Sequence, residues 1–161
     1  MLVAELMTRN TTSIRVDQTL AEAAQSMWDR DCGALPVLLE DGSRVIGMIT
    51  DRDICMATWS RNCAPSALRV VDAMSQSLVH CSERDSIASA EALMQSKQIR
   101  RLPVVDDQAR LVGVLSLADI ARATQSARLP TNPGGDGIAK TLAGICKAHV
   151  TTEKLRTQTL S

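Results

Sequence analysis

Residues 45–54 read VIGMITDRDI, and residues 111–120 read LVGVLSLADI. Each stretch contains an apolar segment with a glycine, then a Thr or Ser, then an Asp three positions after that hydroxyl, and then Ile. The same order of residues occurring twice in a chain of 161 residues indicates an internal repeat. The fold can therefore be predicted for one copy and applied to the other.

The correspondence between the two copies continues upstream of these stretches. At an offset of 67, Leu35-Pro36-Val37 matches Leu102-Pro103-Val104, and Met7-Thr8 matches Met74-Ser75. The offset falls to 66 before the two glycines, and the lost residue lies in the segments EDGSR and DDQAR, which are typical of turns that tolerate a change in length. The predicted domains are residues 2–61 for the first repeat and residues 68–127 for the second.

Each copy has the pattern of a β-α-β-β-α unit. A short strand is predicted near residues 13–16 and again near 78–81, and the next helix shows apolar residues at i, i+3, i+4, i+7 and i+8. In the first copy this apolar face comprises Leu20, Ala23, Ala24, Met27 and Trp28. A hairpin and a second helix follow, at about residues 51–59 and 117–125. At its C-terminal end the chain adds a flexible connector over 128–137 and a tail over 138–161, with a short helix at 138–148.

A single unit of about 55 residues is too small to be comfortably stable alone. The predicted fold class is α/β, of the α+β type, with two β-α-β-β-α repeats packed sheet against sheet around a shared core in a pseudo-two-fold pair. Such a pair leaves clefts between the copies, where small ligands bind.

Composition limits the functions that are open to this chain. The net charge is zero, and two Trp are its only aromatic residues, which together argue against a nucleic-acid-binding protein. The N-terminus shows no secretory signal, and no apolar run is long enough to cross a membrane. The five cysteines form no C-x-x-C pair and have no His at zinc-ligand spacing. We expect a soluble cytoplasmic protein with reduced, mostly buried thiols and no metal site.

The repeated stretch has the chemistry of a nucleotide site. Thr50 stands where a helix begins, and a helix N-terminus offers free N–H groups and a partial positive charge to an anion. Asp53, one turn further on, can accept two hydrogen bonds from a ribose diol. Gly47 leaves room for a group close to the strand. Ser116, Asp119 and Gly113 repeat this arrangement. The alternative is that S/T-x-x-D is only a capping box, which satisfies the helix end without a ligand.

The ordered set of motifs resembles a tandem CBS domain pair, also called a Bateman module. The resemblance covers about residues 2–126. It includes V-x-x-x-M-[TS] at 3–8 and 70–75, a T/S-L/I helix opening, [AR]-L-P-V, and G-x-x-[TS]-x-x-D-I, each present twice. The segments GALPV and GMITDRDI are typical of small stand-alone bacterial members. The resemblance implies an adenosine ligand (AMP, ADP, ATP, NAD or S-adenosylmethionine) in the clefts between the repeats. It also implies that two modules pair into a flat, disc-like homodimer.

The family pattern also implies roles for individual residues. Asp53 and Asp119 would hold ribose, Thr50 and Ser116 would lie near ribose or phosphate, and basic residues before L-P-V, here Arg100 and Arg101, would reach phosphate. The residues implied to line the base are Ser13 and Ile14 in one copy and His80 and Cys81 in the other. The first copy departs from the pattern, because Gly33 and Ala34 stand where the second copy has the arginine pair. Its cleft is therefore expected to take positive charge from elsewhere, with Arg52 and Arg30 as candidates.

No catalytic triad order, Walker loop or G-x-G-x-x-G sequence is present, so the chain is not expected to be an enzyme or to require a cofactor. The leading interpretation is a regulatory sensor that binds an adenine nucleotide and signals to an unknown effector protein. The alternative is a ligand-free structural dimerisation module with degenerate clefts. Binding of DNA or RNA through the arginine-rich surface is a third, less favoured reading.

Overall fold

The computed structural model describes residues 1–75, 77–125 and 136–145. The first repeat contains β1 (Ile14–Arg15), α1 (Leu20–Asp29), β2 (Ala34–Leu38), β3 (Val45–Thr50) and α2 (Asp51–Arg61). The second repeat contains β4 (Cys81–Ser82), α3 (Ile87–Lys97), β5 (Arg101–Val105), β6 (Leu111–Ser116) and α4 (Leu117–Gln125). A last helix, α5, spans Asp136–Ile145, and short 3-10 turns cover Val3–Glu5, Pro65–Ala67 and Val70–Asp72. The predicted β-α-β-β-α order and the α+β class are confirmed.

The tail differs from its prediction at its start. Helix α5 begins at Asp136, two residues before the predicted start at 138, so the end of the predicted connector is helical. The rest of the connector and the predicted helical residues 146–148 lie outside the described residues.

Each repeat forms its own three-stranded sheet, with one parallel and one antiparallel pairing. β1 runs parallel to β2, and β2 pairs antiparallel with β3, with Ala34 opposite Thr50. The second sheet repeats this topology, with Arg101 opposite Ser116. The register therefore brings the residue before L-P-V next to the hydroxyl residue at the start of α2 or α4.

The N-terminal segment packs on the second repeat, not on the first. The Val3 N–H donates to the Asp85 carbonyl at 2.9 Å, and the Thr8 N–H donates to the Val114 carbonyl at 2.9 Å. Val3 is fully buried in the same apolar cluster as residues of the second repeat, such as Leu102 and Leu115. The segment that opens the first repeat therefore completes the core of the second.

The segment that opens the second repeat, residues 68–75, packs on the first repeat in the same way. The Val70 N–H donates to the Gln18 carbonyl at 2.8 Å, and the Ser75 N–H donates to the Met48 carbonyl at 2.9 Å. Leu68 and Val70 belong to the core cluster of the first repeat. The buried residues therefore form one core for each repeat, where we predicted a shared core. The difference arises because two exchanged segments complete the cores. Residues 3–8 pack into the core of the second repeat, and residues 68–75 pack into the core of the first.

The exchanged segments explain the glycines of the repeated stretch. A Cβ on Gly47 would lie 2.8 Å from the Ser75 carbonyl oxygen, and one on Gly113 would lie 2.7 Å from the Thr8 carbonyl oxygen. Real Cβ atoms do not approach backbone oxygens so closely. The room that each glycine leaves is therefore filled by the chain itself, and the expectation that it accommodates a ligand is wrong.

Helix α5 covers α3 of the second repeat. Its Thr141 is buried, and the Thr141 hydroxyl accepts from Gln95 Nε2 at 2.9 Å and donates to Glu91 Oε1 at 3.2 Å. Ile145 joins the core of the second repeat. A buried hydroxyl with satisfied partners fixes the register of α5 on α3.

The matching surface of the first repeat is uncovered in the described structure. Trp28, predicted on the buried face of α1, is 84% exposed, and Trp59 on α2 is 75% exposed. Trp28 corresponds to Gln95, the residue on which α5 rests. The prediction for Trp28 failed because its edge of the helix has no covering element in the first repeat.

The thiols differ from the prediction as well. Among the four described cysteines, Cys55 and Cys63 are exposed, Cys32 is half-buried and Cys81 is buried. The expectation of mostly buried thiols was wrong because Cys55 lies on the outer face of α2 and Cys63 follows its end. Burial, with the nearby Asp85 carboxylate, raises the pKa of the Cys81 thiol to about 12.

Substitution of Gly47 or Gly113 by Ala should lower the free energy of unfolding by about 1–3 kcal/mol, because a backbone carbonyl must move to admit the methyl group. Urea denaturation measures this change. The matched control is Gly137→Ala in α5, where an added Cβ meets nothing within 4 Å. Equal stability of Gly47→Ala and the wild type would show that the crossing segments are not held as described.

Cys81 should resist thiol reagents in the folded protein, because a thiol with a pKa of about 12 carries almost no thiolate at pH 8. Exposed Cys55 and Cys63 should react with Ellman's reagent within minutes, and Cys81 only after urea is added. Mass spectrometry of the modified peptides identifies each site. Labelling of Cys81 in the native protein at the rate of Cys55 would contradict its placement in the core.

Candidate functional site

A cavity of about 470 Å³ lies between the two repeats. From the first repeat it is lined by Thr50, Asp51, Arg52 and Asp53, at the start of α2. From the second repeat it is lined by Gln98, Ile99, Arg100 and Arg101, at the start of β5. Both repeats therefore contribute to the cavity. The motif that contains Thr50 and Asp53 in the first repeat faces Arg100 and Arg101 of the second repeat.

The start of α2 is a complete capping box. The Asp53 N–H donates to Thr50 Oγ1 at 3.2 Å, and Asp53 Oδ2 accepts from the Thr50 N–H at 2.9 Å and from Thr50 Oγ1 at 2.7 Å. The cap that the sequence offered as an alternative therefore forms without a ligand. It uses only Oδ2 of the carboxylate, and Oδ1 of Asp53 has no hydrogen-bond partner among the described residues. Capping and diol binding are compatible at this residue.

Arg100 and Arg101 face the first motif, although their own repeat carries the second. Both are exposed, and neither forms an ion pair within the described parts of the chain. The Arg100 carbonyl accepts from the Leu117 N–H at 2.9 Å, which fixes the backbone beside the cavity. The arginine pair that the first copy lacks before its own L-P-V is therefore supplied by the second copy. Of the two candidates named from sequence, Arg52 lines the cavity and Arg30 does not.

The second motif has the same cap but a different environment. Asp119 Oδ2 accepts from the Ser116 N–H at 2.8 Å, and the Asp119 N–H donates to Ser116 Oγ at 3.2 Å. The Arg122 guanidinium, one turn later, donates to the other oxygen, Asp119 Oδ1. The Asp119 side chain is only 10% exposed. Ser116 and Asp119 line neither of the two large cavities described in this structure.

None of the four residues implied to line the base is in the wall of this cavity. Ile14 and Cys81 are each 3% exposed, inside the cores of the first and second repeats. Ser13 is half-buried and His80 is exposed. The apolar wall comes from Met48, Val79 and Ile99, which the sequence reasoning missed. Strand alternation could have found Met48, because it lies between buried Gly47 and Ile49 and so faces outward.

A second cavity, of about 420 Å³, lies on the outer side of the first repeat beside Trp28 and Cys32. In the described residues, no three His, Cys, Asp or Glu side chains come together as metal ligands would. No helix in the described part of the chain has the length and apolarity to cross a membrane.

Comparison with known proteins agrees with this architecture. The sequence model of the CBS domain family matches residues 3–59 and 70–126. The CBS domain-containing protein YhcV of Bacillus subtilis (strain 168) is 40% identical over 119 residues, which are 74% of this chain and 82% of the relative.

Solved structures share the fold. The crystal structure of Hypoxic Response Protein I with two coordinated zinc ions has a TM-score of 0.70 and 32% identity, covering 81% of this chain and all of that one. The CBS domain pair of protein MJ0100, crystallised with 5′-methylthioadenosine and S-adenosyl-L-methionine, also has a TM-score of 0.70, with 24% identity over 79% of this chain and 98% of that one. With two matched domains, duplicated motifs and two interlocked sheets, the chain belongs to the CBS domain family, as a tandem pair.

Proposed function

We propose that this chain is a regulatory module without catalytic activity, which binds an adenine nucleotide between its repeats and signals to an effector protein. One observation carries the proposal. A single cavity joins a carboxylate with a free oxygen, that of Asp53, to two arginines, Arg100 and Arg101, that have no charged partner among the described residues.

The chemistry of the cavity suits the parts of a nucleotide. The open Oδ1 of Asp53 can accept from a ribose hydroxyl, because the cap occupies only Oδ2. Guanidinium groups present a planar fork that matches two phosphate oxygens. Val79 and Ile99 offer an apolar wall for the flat base. AMP, ADP, ATP and NAD all meet these requirements. The MJ0100 pair, whose two ligands both contain adenosine, supports the choice of an adenosine compound.

The alternative is a ligand-free dimerisation module. It is favoured by the completeness of both caps, since Thr50 and Ser116 are satisfied without any ligand. It leaves the unpaired arginines in the cavity without a role, and for this reason we prefer the sensor.

A thermal-shift panel with AMP, ADP, ATP, NAD and S-adenosylmethionine tests the proposal. A ligand that binds only the folded state should raise the melting temperature by several degrees at 100 times its Kd. Asp53→Asn should remove most of this rise, because the amide keeps one oxygen for the cap but loses the charged acceptor. The control is Asp41→Asn, in a turn outside the cavity.

A flat panel has two possible causes, which can be separated. Denatured protein is extracted and assayed for nucleotide carried through purification. Bound nucleotide in the extract supports the sensor, whereas an empty extract together with a flat panel would establish the dimerisation module.

We further propose that two chains associate through the outer face of the first repeat. Trp28 on α1 and Met56 and Trp59 on α2 are large apolar residues that are exposed in the first repeat. Two Trp side chains expose roughly 400 Å² per chain, so with Met56 two facing copies reach about 1,000 Å², which a stable interface needs. In the second repeat the positions equivalent to the two tryptophans are Gln95 and Gln125, and α5 rests on Gln95. A second copy of the chain is therefore proposed on the first repeat.

The double variant Trp28→Gln, Trp59→Gln gives the first repeat the residues of the second, and it should convert a dimer to a monomer. Sedimentation velocity or light scattering measures the mass. The control is Leu142→Gln, which removes an exposed apolar side chain of α5, away from this face. A dimer that persists in the double variant would place the interface elsewhere.

A further inference from the structure

We propose that the two motifs of this chain that contain Asp53 and Asp119 are not equivalent: the Asp53 cleft holds one nucleotide per chain, and Arg122 disfavours binding at the second motif. This inference rests on the proposed function, because it assumes that the composite cavity binds a nucleotide. It goes further by assigning the occupied cleft and the residue that decides it.

The two motifs can be compared position by position within one chain. At the offset of 66, Asp53 corresponds to Asp119, and Met56 corresponds to Arg122. Both aspartates lie at the third position of a helix and close the same capping box through Oδ2. The arrangement of backbone and cap is therefore the same, and the residue three positions later differs.

That difference decides whether the remaining carboxylate oxygen is available. Oδ1 of Asp119 accepts from the Arg122 guanidinium, so both of its oxygens are engaged within α4. Met56 has no donor, and Oδ1 of Asp53 stays without a partner in the described residues. The Arg122 guanidinium carries the charge opposite to that of the carboxylate and already donates to Oδ1, the oxygen that a ribose hydroxyl would need. A ribose diol therefore competes poorly for Asp119 and meets no competitor at Asp53.

The cavity of the first motif also holds residues that could bind phosphate. Arg100 and Arg101 both line the cavity with Asp53. The equivalent residues of the first repeat are Gly33 and Ala34, which carry no charge and line that same cavity. Strand register also puts Arg101 opposite Ser116, so the arginine pair alone does not separate the two motifs. The difference is the open carboxylate oxygen of Asp53, which shares a cavity with both arginines and assigns the single nucleotide to the first motif.

Equilibrium dialysis with ATP measures the number of nucleotides bound. We expect one per wild-type chain. Asp53→Asn should abolish this binding event, and Asp119→Asn should leave its affinity and its stoichiometry unchanged. Each variant keeps a side-chain oxygen for its cap, so the pair is matched in structure.

The role of the residue three positions after the aspartate is tested by giving the first motif the arginine that the second motif has there. Met56→Arg should let the new guanidinium pair with Asp53 and weaken binding by up to about fivefold, the range of an exposed ion pair. The control is Met56→Gln, which removes the same apolar contact without adding a charge. Binding is measured with ATP and with adenosine, because only ATP can gain an attraction between the new charge and phosphate.

The outcomes separate this inference from the proposed function. Two equal sites per chain, or loss of binding in Asp119→Asn with binding kept in Asp53→Asn, would overturn the inference and leave nucleotide sensing intact. Equal affinity of Met56→Arg and Met56→Gln for adenosine would overturn the role given to Arg122. Failure of the wild-type protein to bind any adenine nucleotide, with none in its denatured extract, would overturn both.

Discussion

The crossing of two backbone segments over two glycines holds the molecule together. Ser75 passes over Gly47 and donates its N–H to the Met48 carbonyl, while Thr8 passes over Gly113 and forms the matching bond with Val114. Each segment opens one repeat and completes the core of the other. Neither core is whole without the partner repeat, so a pair of units too small to be stable alone becomes one interlocked body.

The same crossing builds the wall of the cavity. Met48 and Ser75, which the crossing joins, both line the space between Asp53 and the arginine pair. A ligand that bridges Asp53 and Arg101 therefore contacts both repeats at their junction. Such a ligand favours one relative position of the repeats over others, and this difference in affinity between states is what a regulatory module needs to transmit binding.

Sequence reasoning was reliable where the cause is local. The β-α-β-β-α units, their hairpins and the starts of α2 and α4 follow from periodicity, turn composition and capping residues, and they are confirmed. It was weaker where two copies meet. The sequence places the arginine pair beside the second motif, and strand register does put Arg101 opposite Ser116, but the sequence could not show that the pair also lines a cavity with the first motif. Trp28 was assigned to a buried face because helical spacing cannot show whether another element covers that edge.

Duplication also separates what folding requires from what binding requires. The glycine, the hydroxyl and the aspartate occur in both copies, and in both they serve the crossing and the cap. Their presence twice is therefore explained by folding and does not by itself imply two ligand sites. Function is better read from positions where the copies differ, such as Met56 against Arg122 and Gly33 against Arg100. These positions are free of the shared folding constraint, and they are where the two halves of a symmetrical fold differ in charge.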